Sequence, residues 1–531
     1  MQAVSAAGWG VDALVDAVVS GRSLARPVPW ATEALRSPFA ALANAGSAED
    51  MLLSVVESVA PGEGAGLVVA TSSGAISGPF EAWHRDTRAS GHPAETWAWR
   101  QLPTARVAAR LGLAPHRTLS VACASGTAAF EVARGWLRAG RCERVVVAGV
   151  DALSLYIHAG FAGLGALAKG GSRPFAVDRD GLVLGEGAAA FLLETPASAR
   201  ASGRTPLAAL LGCGLSQDGV HLTAPDRTGA GLGRAARAAL IDAGLEPGDI
   251  GVVSAHATAT VFNDAMEARA LAALFEGPVP LHACKPVLGH TLGAAGALEA
   301  AVLLAILEGA PAPAPLSVTA PDCPMTVAPC RDPRHGLSVS AAFGGVNAAV
   351  VFGPASGELR SEAALRPVHA AATARVATDD LPLARVFPGA PPTLGRADAY
   401  VRGGIAALAA LRSAAAQPSP APLSPETAVV LASASNCHAA DLRYHAGLLD
   451  GGPAQASRLH FSYTVPGAPV AEASILLGLR GPVLVFCDPG ECADEEARRL
   501  VSQGIAPSAV ALAIEAPGSF AEAVATLYVP S

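Results

Sequence analysis

Lysine is almost missing from this chain. Of its 37 basic residues only Lys169 and Lys285 are lysines. A lysine kept under such a bias is a candidate for work that a planar guanidinium cannot do. Chance survival explains Lys169 equally well, since it sits in a glycine-rich loop. Charge is scarce too: 15% of residues are charged, the net charge is −8, and no basic run occurs. Nucleic acid is therefore not an expected partner. The longest tempting apolar run, 293–307, contains Glu299 and is shorter than a membrane span needs. It is expected to be a buried helix. The nine cysteines lack zinc-like spacing with histidines. They read as free thiols in a reducing cytoplasm, and no metal or cofactor is expected. The N-terminus has no basic n-region and no cleavage pattern, so a cytoplasmic location is expected. What the chain does have is size and apolarity. With 531 residues, 51% of them hydrophobic, it is expected to build two or more domains around large α/β cores.

Cys123 is the most informative residue present. It lies in Ala122-Cys123-Ala124-Ser125-Gly126, where an apolar strand-like run meets a helix-like one. A thiol at such a helix start is expected to gain thiolate character from the helix end. Taken alone, the segment also fits a small buried core cysteine. Two histidines sit in the same kind of place. His256 follows Val252-Val253-Ser254-Ala255, and His290 follows Lys285-Pro286-Val287-Leu288-Gly289. Strand exits of this kind gather at one edge of an α/β sheet, where catalytic groups tend to lie.

These segments, with Arg173-Pro174-Phe175, the run 178–187 and Phe343-Gly344-Gly345-Val346-Asn347, occur in the order found in β-ketoacyl synthases. Residues from about 4 to 353 resemble that family. The resemblance implies an α/β fold of the thiolase type, a layered α-β-α-β-α core. It also implies a decarboxylative Claisen condensation in polyketide or fatty acid biosynthesis, with acyl and malonyl groups delivered by acyl carrier protein. Cys123 would carry the acyl group as a thioester. His256 and His290 would stabilise the enolate left by decarboxylation of the malonyl thioester. Lys285 would order the site through an ion pair with Glu299. Backbone N–H groups of Cys123 and Phe343 would form the acyl oxyanion hole. Thr258, Thr260, Gly344 and Gly345 match substrate-binding and gating positions. Asp264 and Glu267 match acids that support the first histidine loop, though acids at a helix start also complement its dipole. The chain departs from the family pattern at Ala257, Ala259 and Ala342, where glycine is usual; an added Cβ disfavours positive φ. The stretch before Cys123 is also about three residues short.

A second surprise follows position 354. The segment 356–393 reads as an alanine- and proline-rich linker with no long element, and 394–531 reads as a weaker copy of the first 150 residues. The run 427–433 parallels 65–71, and 504–513 parallels 140–149. Gly490 of Cys487-Asp488-Pro489-Gly490 falls near the nucleophile position, with Cys487 about three residues early, and no histidine motif follows. It resembles a truncated chain-length-factor partner and is expected to be inactive. The expected organisation is thus a synthase domain over 1–355, a linker over 356–393 and a synthase-like half-domain over 394–531. Pairing through the second copy as a pseudo-dimer, a homodimer, or association with another synthase subunit are all compatible with it. So are two alternative functions: a priming acyltransferase of the same fold, or a non-catalytic partner subunit.

Overall fold

The structure is a computed structural model. It describes all residues except 32–34, 36, 91–98, 331–332, 356–363, 380–393, 395–396, 416–422 and 517–519. The continuous apolar runs become strands covered on both faces, as buried parallel sheets require. Gly66–Ala70 is wholly buried, and Arg144–Asp151 is buried at all but its first residue.

One sheet of eleven strands spans the molecule. At its middle His116–Leu119 meets Val483–Phe486 in antiparallel fashion, with Leu119 opposite Phe486. Ser120 N–H donates to Val485 O (2.8 Å) and Cys487 N–H to Thr118 O (2.9 Å). From that seam the two arms run outward in the same order. On one side come Gly66–Ala70, Arg144–Asp151, Gly187–Glu194 and Gln2–Ser5, ending at Gly8–Trp9. On the other come Ala428–Ala432, Ala509–Glu515, Phe520–Pro530 and Val368–Asp379. This last strand lies inside the stretch read as an element-free linker. Its own sequence is small and weakly patterned, so it is the neighbouring strand Phe520–Pro530 that holds it, over eleven paired positions. Within that stretch, 356–363 and 380–393 lie outside the described residues.

A second sheet of six strands is built from residues 208–354. Between the two sheets lie the helices Ser125–Arg138 and Ala295–Leu307, almost wholly buried. They approach so closely that a Cβ on Gly126 would sit 2.7 Å from Ala297 N. Helices Ala48–Ser58 and Leu102–Leu111 cover the first sheet, and Ala230–Ala243 and Val261–Leu274 cover the second. This is the α-β-α-β-α order of a thiolase-type core. In the C-terminal arm the helix after Val483–Phe486 is Glu491–Ser502. Glu491, Glu495 and Arg498 on it are exposed. The helix is amphipathic, and among the described residues no second sheet covers it. Among the described residues, no helix is long and apolar enough to cross a membrane.

Candidate active site

Two strand exits and one helix end bring the site together. Cys123 and His256 follow the strands His116–Leu119 and Val252–Ser254, whereas His290, expected after a strand-like run, follows the short helix Lys285–Leu288. Cys123 stands in a 3-10 turn, Ala122–Ala124, between the strand His116–Leu119 and the helix Ser125–Arg138. Backbone N–H groups of Phe343 and of Cys123 itself point at its sulfur. Burial pushes the thiol up to about 12, against the pull of the Lys285 ammonium. The expected thiolate character is therefore not a resting property. Desolvation of the charged form outweighs the helix end.

His256 and His290 face each other with ring centroids 5.6 Å apart and planes perpendicular. Burial, and then the Lys285 charge, hold both well below the usual histidine range, so both are neutral. Their tautomers follow from their neighbours. Lys285 Nζ lies 3.4 Å from His256 Nδ1. An ammonium can only donate, so that nitrogen accepts. Leu292 N–H donates to His290 Nδ1 at 3.3 Å. Each ring thus keeps its proton on Nε2. Lys285 is anchored by Glu299 at 2.5 Å, and both side chains are buried.

The two acids of the next helix reach back to the histidine loop. Glu267 accepts from His256 N–H (2.6 Å) and Ala257 N–H (2.8 Å). Asp264 accepts from Ala259 N–H (3.0 Å) and Phe175 N–H (2.7 Å). Ala257 and Ala259 take φ of 43° and 60°, the left-handed region that costs an L-residue about 1–2 kcal/mol. The carboxylates pin the backbone in that conformation.

A cavity of about 360 Å³ joins these groups, lined by Cys123, His256, His290, Thr258, Thr260 and Phe343, with Val261 and Phe262 on its wall. Thr258 and Thr260 hydroxyls lie 3.0 Å apart. Gly344 and Gly345 carry φ of 84° and 77°, left-handed backbone that glycine adopts without strain. Phe343 stacks on Phe161 (5.8 Å, 19°) and also lines a second, small cavity. Ser120, Val121 and Ala122 line that space together with Val465, Gly467 and Ala471 of the C-terminal arm.

Asp151 was not singled out from the sequence. It ends the strand Arg144–Asp151, is fully buried, and accepts from Thr71 Oγ1, Ser72 N–H, Ser73 N–H, Ser73 Oγ and Gly293 N–H at 2.7–2.9 Å. Its one sequence signal is an acid at the end of an apolar strand. Gln217, whose Nε2 donates to Gly344 O at 2.7 Å, and Phe161 carry no such signal.

A thiol and two Nε2-protonated histidines that share one cavity of a five-layer α/β core define a thiolase-type site. Comparison with known proteins narrows the class. Models of the β-ketoacyl synthase N-terminal and C-terminal domains match residues 34–199 and 207–319, together just over half of the chain. The chain belongs to the β-ketoacyl synthase family. It is 37% identical over 269 residues to 3-oxoacyl-[acyl-carrier-protein] synthase 2 of Mycobacterium tuberculosis, covering 46% of this chain and 64% of that one. The Staphylococcus aureus protein of the same name is 35% identical over 268 residues, with 47% and 64% covered. The match thus spans under two thirds of these relatives. Among solved structures, the ishigamide ketosynthase/chain length factor is 29% identical, covering 66% of this chain and 99% of that one, with a TM-score of 0.59. The PfaC keto synthase–chain length factor covers 100% of this chain and 78% of that one, with a TM-score of 0.77. At 15% identity that likeness concerns the fold alone.

Proposed function

We propose that this protein is a condensing acyltransferase that joins an acyl group on Cys123 to a malonyl unit carried by acyl carrier protein. The observation that carries the reading is the pair of perpendicular, neutral, Nε2-protonated histidines sharing one cavity with Cys123. In the first half-reaction the Cys123 sulfur attacks the acyl thioester, and its proton leaves with the carrier thiol. The thioester oxygen accepts from the N–H groups of Cys123 and Phe343. The malonyl thioester then loses carbon dioxide, and its carbonyl oxygen takes the negative charge. His256 and His290 donate to it from Nε2. Neutral donors suit this step, because a cationic histidine beside Lys285 would be repelled. The enolate carbon attacks the Cys123 thioester, the C–S bond breaks, and the thiolate is reprotonated. Lys285 and Glu299 fix the His256 tautomer. Thr258 and Thr260 line the path of the arriving arm, and Phe343 with Gly344 and Gly345 gates the acyl space.

In the same reading, 1–355 is the catalytic unit, and 394–531, together with the edge strand Val368–Asp379, is an inactive partner carried in the same chain. The antiparallel seam between Leu119 and Phe486 supports a pseudo-dimer, as does the small cavity walled from both arms. Fatty acid or polyketide synthesis in the cytoplasm is the setting this chemistry fits.

Intact-protein mass spectrometry tests the reading. The chain and Cys123→Ala are each incubated with acyl-loaded and malonyl-loaded carrier protein. An adduct on the wild type alone, with a β-ketoacyl product on the carrier, is expected. An adduct without product would replace condensation by acyl transfer. No adduct under any loading would overturn the reading.

A further inference from the structure

One hydrogen-bonded path leads from the C-terminal arm to the second histidine turn. It begins at Asp441, on the helix His438–Gly451. Asp441 binds Arg100 at both oxygens (2.6 and 3.2 Å), and the two side chains are 3% and 4% exposed. Arg100 also donates to Thr464 O at 2.8 Å, so its guanidinium is held by the C-terminal arm at two points. From there Arg100 Nε donates to Ser72 O at 3.1 Å. Ser72 N–H donates in turn to Asp151, and the same carboxylate oxygen accepts from Gly293 N–H. Gly293 lies in the turn that follows His290, and Leu292 N–H of that turn fixes His290 Nδ1.

Space is as tight as bonding along this path. A Cβ on Gly74 would lie 2.4 Å from Arg100 Cα, and one on Gly293 would lie 2.6 Å from Ser72 N. The loop 71–74 is therefore clamped between Arg100 and the His290 turn, with no room for either to shift alone. Asp151 is equally committed: five donors surround it in a site with no solvent. A bidentate arginine suits this geometry, since its planar fork holds orientation as well as charge.

We propose that Arg100 and Asp441 are positioning residues through which the C-terminal arm holds His290 in register. The catalytically silent arm then contributes directional anchoring to the decarboxylating histidine, beyond walling the acyl space. The proposal rests on the reading of His290 as a donor to the malonyl carbonyl.

Spatial continuity alone does not establish coupling, so the test is a perturbation at the far end of the path. In Asp441→Asn the charge is lost and the shape kept. Malonyl decarboxylation should fall about tenfold in kcat, as loss of roughly one charge-assisted hydrogen bond predicts, with KM and acylation of Cys123 within about twofold. Tyr156→Phe, which removes a 2.9 Å donor to Asp441, should act in the same direction more weakly. Glu131→Gln is the control: Glu131 pairs with Arg499 across the same seam but lies off this path. It should lower thermal stability without changing decarboxylation. Hydrogen exchange supplies a readout independent of turnover. Amides 290–294 should lose protection in Asp441→Asn and keep it in Glu131→Gln. If the wild type does not decarboxylate malonyl thioesters, the functional reading fails while the exchange result still judges the path. Unchanged exchange and decarboxylation in Asp441→Asn would overturn the proposal, as would losses matched by Glu131→Gln.

Discussion

Gly160 offers a sharp test of how the two arms are packed. It lies on the helix Leu155–Gly163, and a Cβ there would fall 2.3, 2.3 and 2.5 Å from three ring carbons of Phe461. Carbon atoms rest at about 3.5–4.0 Å, so in Gly160→Ala the ring has to retreat by about 1.2 Å or more. It has nowhere to go. Phe461 is 7% exposed and boxed in by Tyr444, Phe161 and Tyr156, with centroids 5.2, 5.5 and 6.5 Å away. Overpacking of this kind costs about 1–3 kcal/mol, and three short contacts place it in the upper part of that range. The helix itself would gain about 1 kcal/mol from alanine. The net expectation is a loss of about 1–2 kcal/mol. Phe461→Ala alone should cost about 3–5 kcal/mol. In that background Gly160→Ala meets empty space and should become stabilising by about 1 kcal/mol. The change of sign is the signature. Urea midpoints of the four proteins measure it as a double-mutant cycle. If Gly160→Ala stabilises both backgrounds equally, the arms do not meet at this contact.

Other consequences can be measured directly. Ala257→Gly and Ala259→Gly each lose a methyl worth about 0.8 kcal/mol and gain backbone entropy costing about 0.5–1. Relief of positive φ returns about 1–2 kcal/mol, so urea midpoints should shift by less than the equivalent of about 1 kcal/mol, with turnover within about threefold. A tenfold gain in turnover would show that the alanines hold the loop badly. Burial pushes both Asp264 and Glu267 up to about 7, whereas unfolded carboxyls titrate near 4. The folded chain therefore binds more protons between those values, and these groups make stability fall as pH rises from about 4 to about 7 and level off above. Thermal midpoints in buffers of pH 5 and 8 should show a shallower dependence in Glu267→Gln; an unchanged slope would refute the assignment. With the Cys123 thiol pushed up to about 12, its alkylation by iodoacetamide should still be accelerating at pH 9, and a plateau near pH 7 would contradict that. Lys285→Met should slow it at every pH.

Cys123 and His256 are legible because each follows an apolar strand and precedes a helical run, a local pattern that marks a sheet edge, whereas His290 follows the short helix Lys285–Leu288. Lys285 was legible through its rarity. Asp151 was not, since its role depends on Thr71–Ser73 and Gly293, some 80 and 142 positions away. The state of the Cys123 thiol was misjudged for a related reason. A helix start can be read locally, but the burial that outweighs it comes from both sheets at once. In the C-terminal arm the apolar strands were readable, whereas Val368–Asp379 was not. Its residues have little strand pattern, and it exists because the edge of Phe520–Pro530 is there to pair with.

The seam between Leu119 and Phe486 joins two surfaces of one backbone. Its formation is therefore a first-order event. Two separate subunits would fall apart on dilution, whereas a tether sets a local concentration on the order of millimolar at every protein level. Specific activity should accordingly stay flat down to nanomolar enzyme. The ratio of the two arms is one to one in every molecule, whatever the rates at which chains are made or degraded.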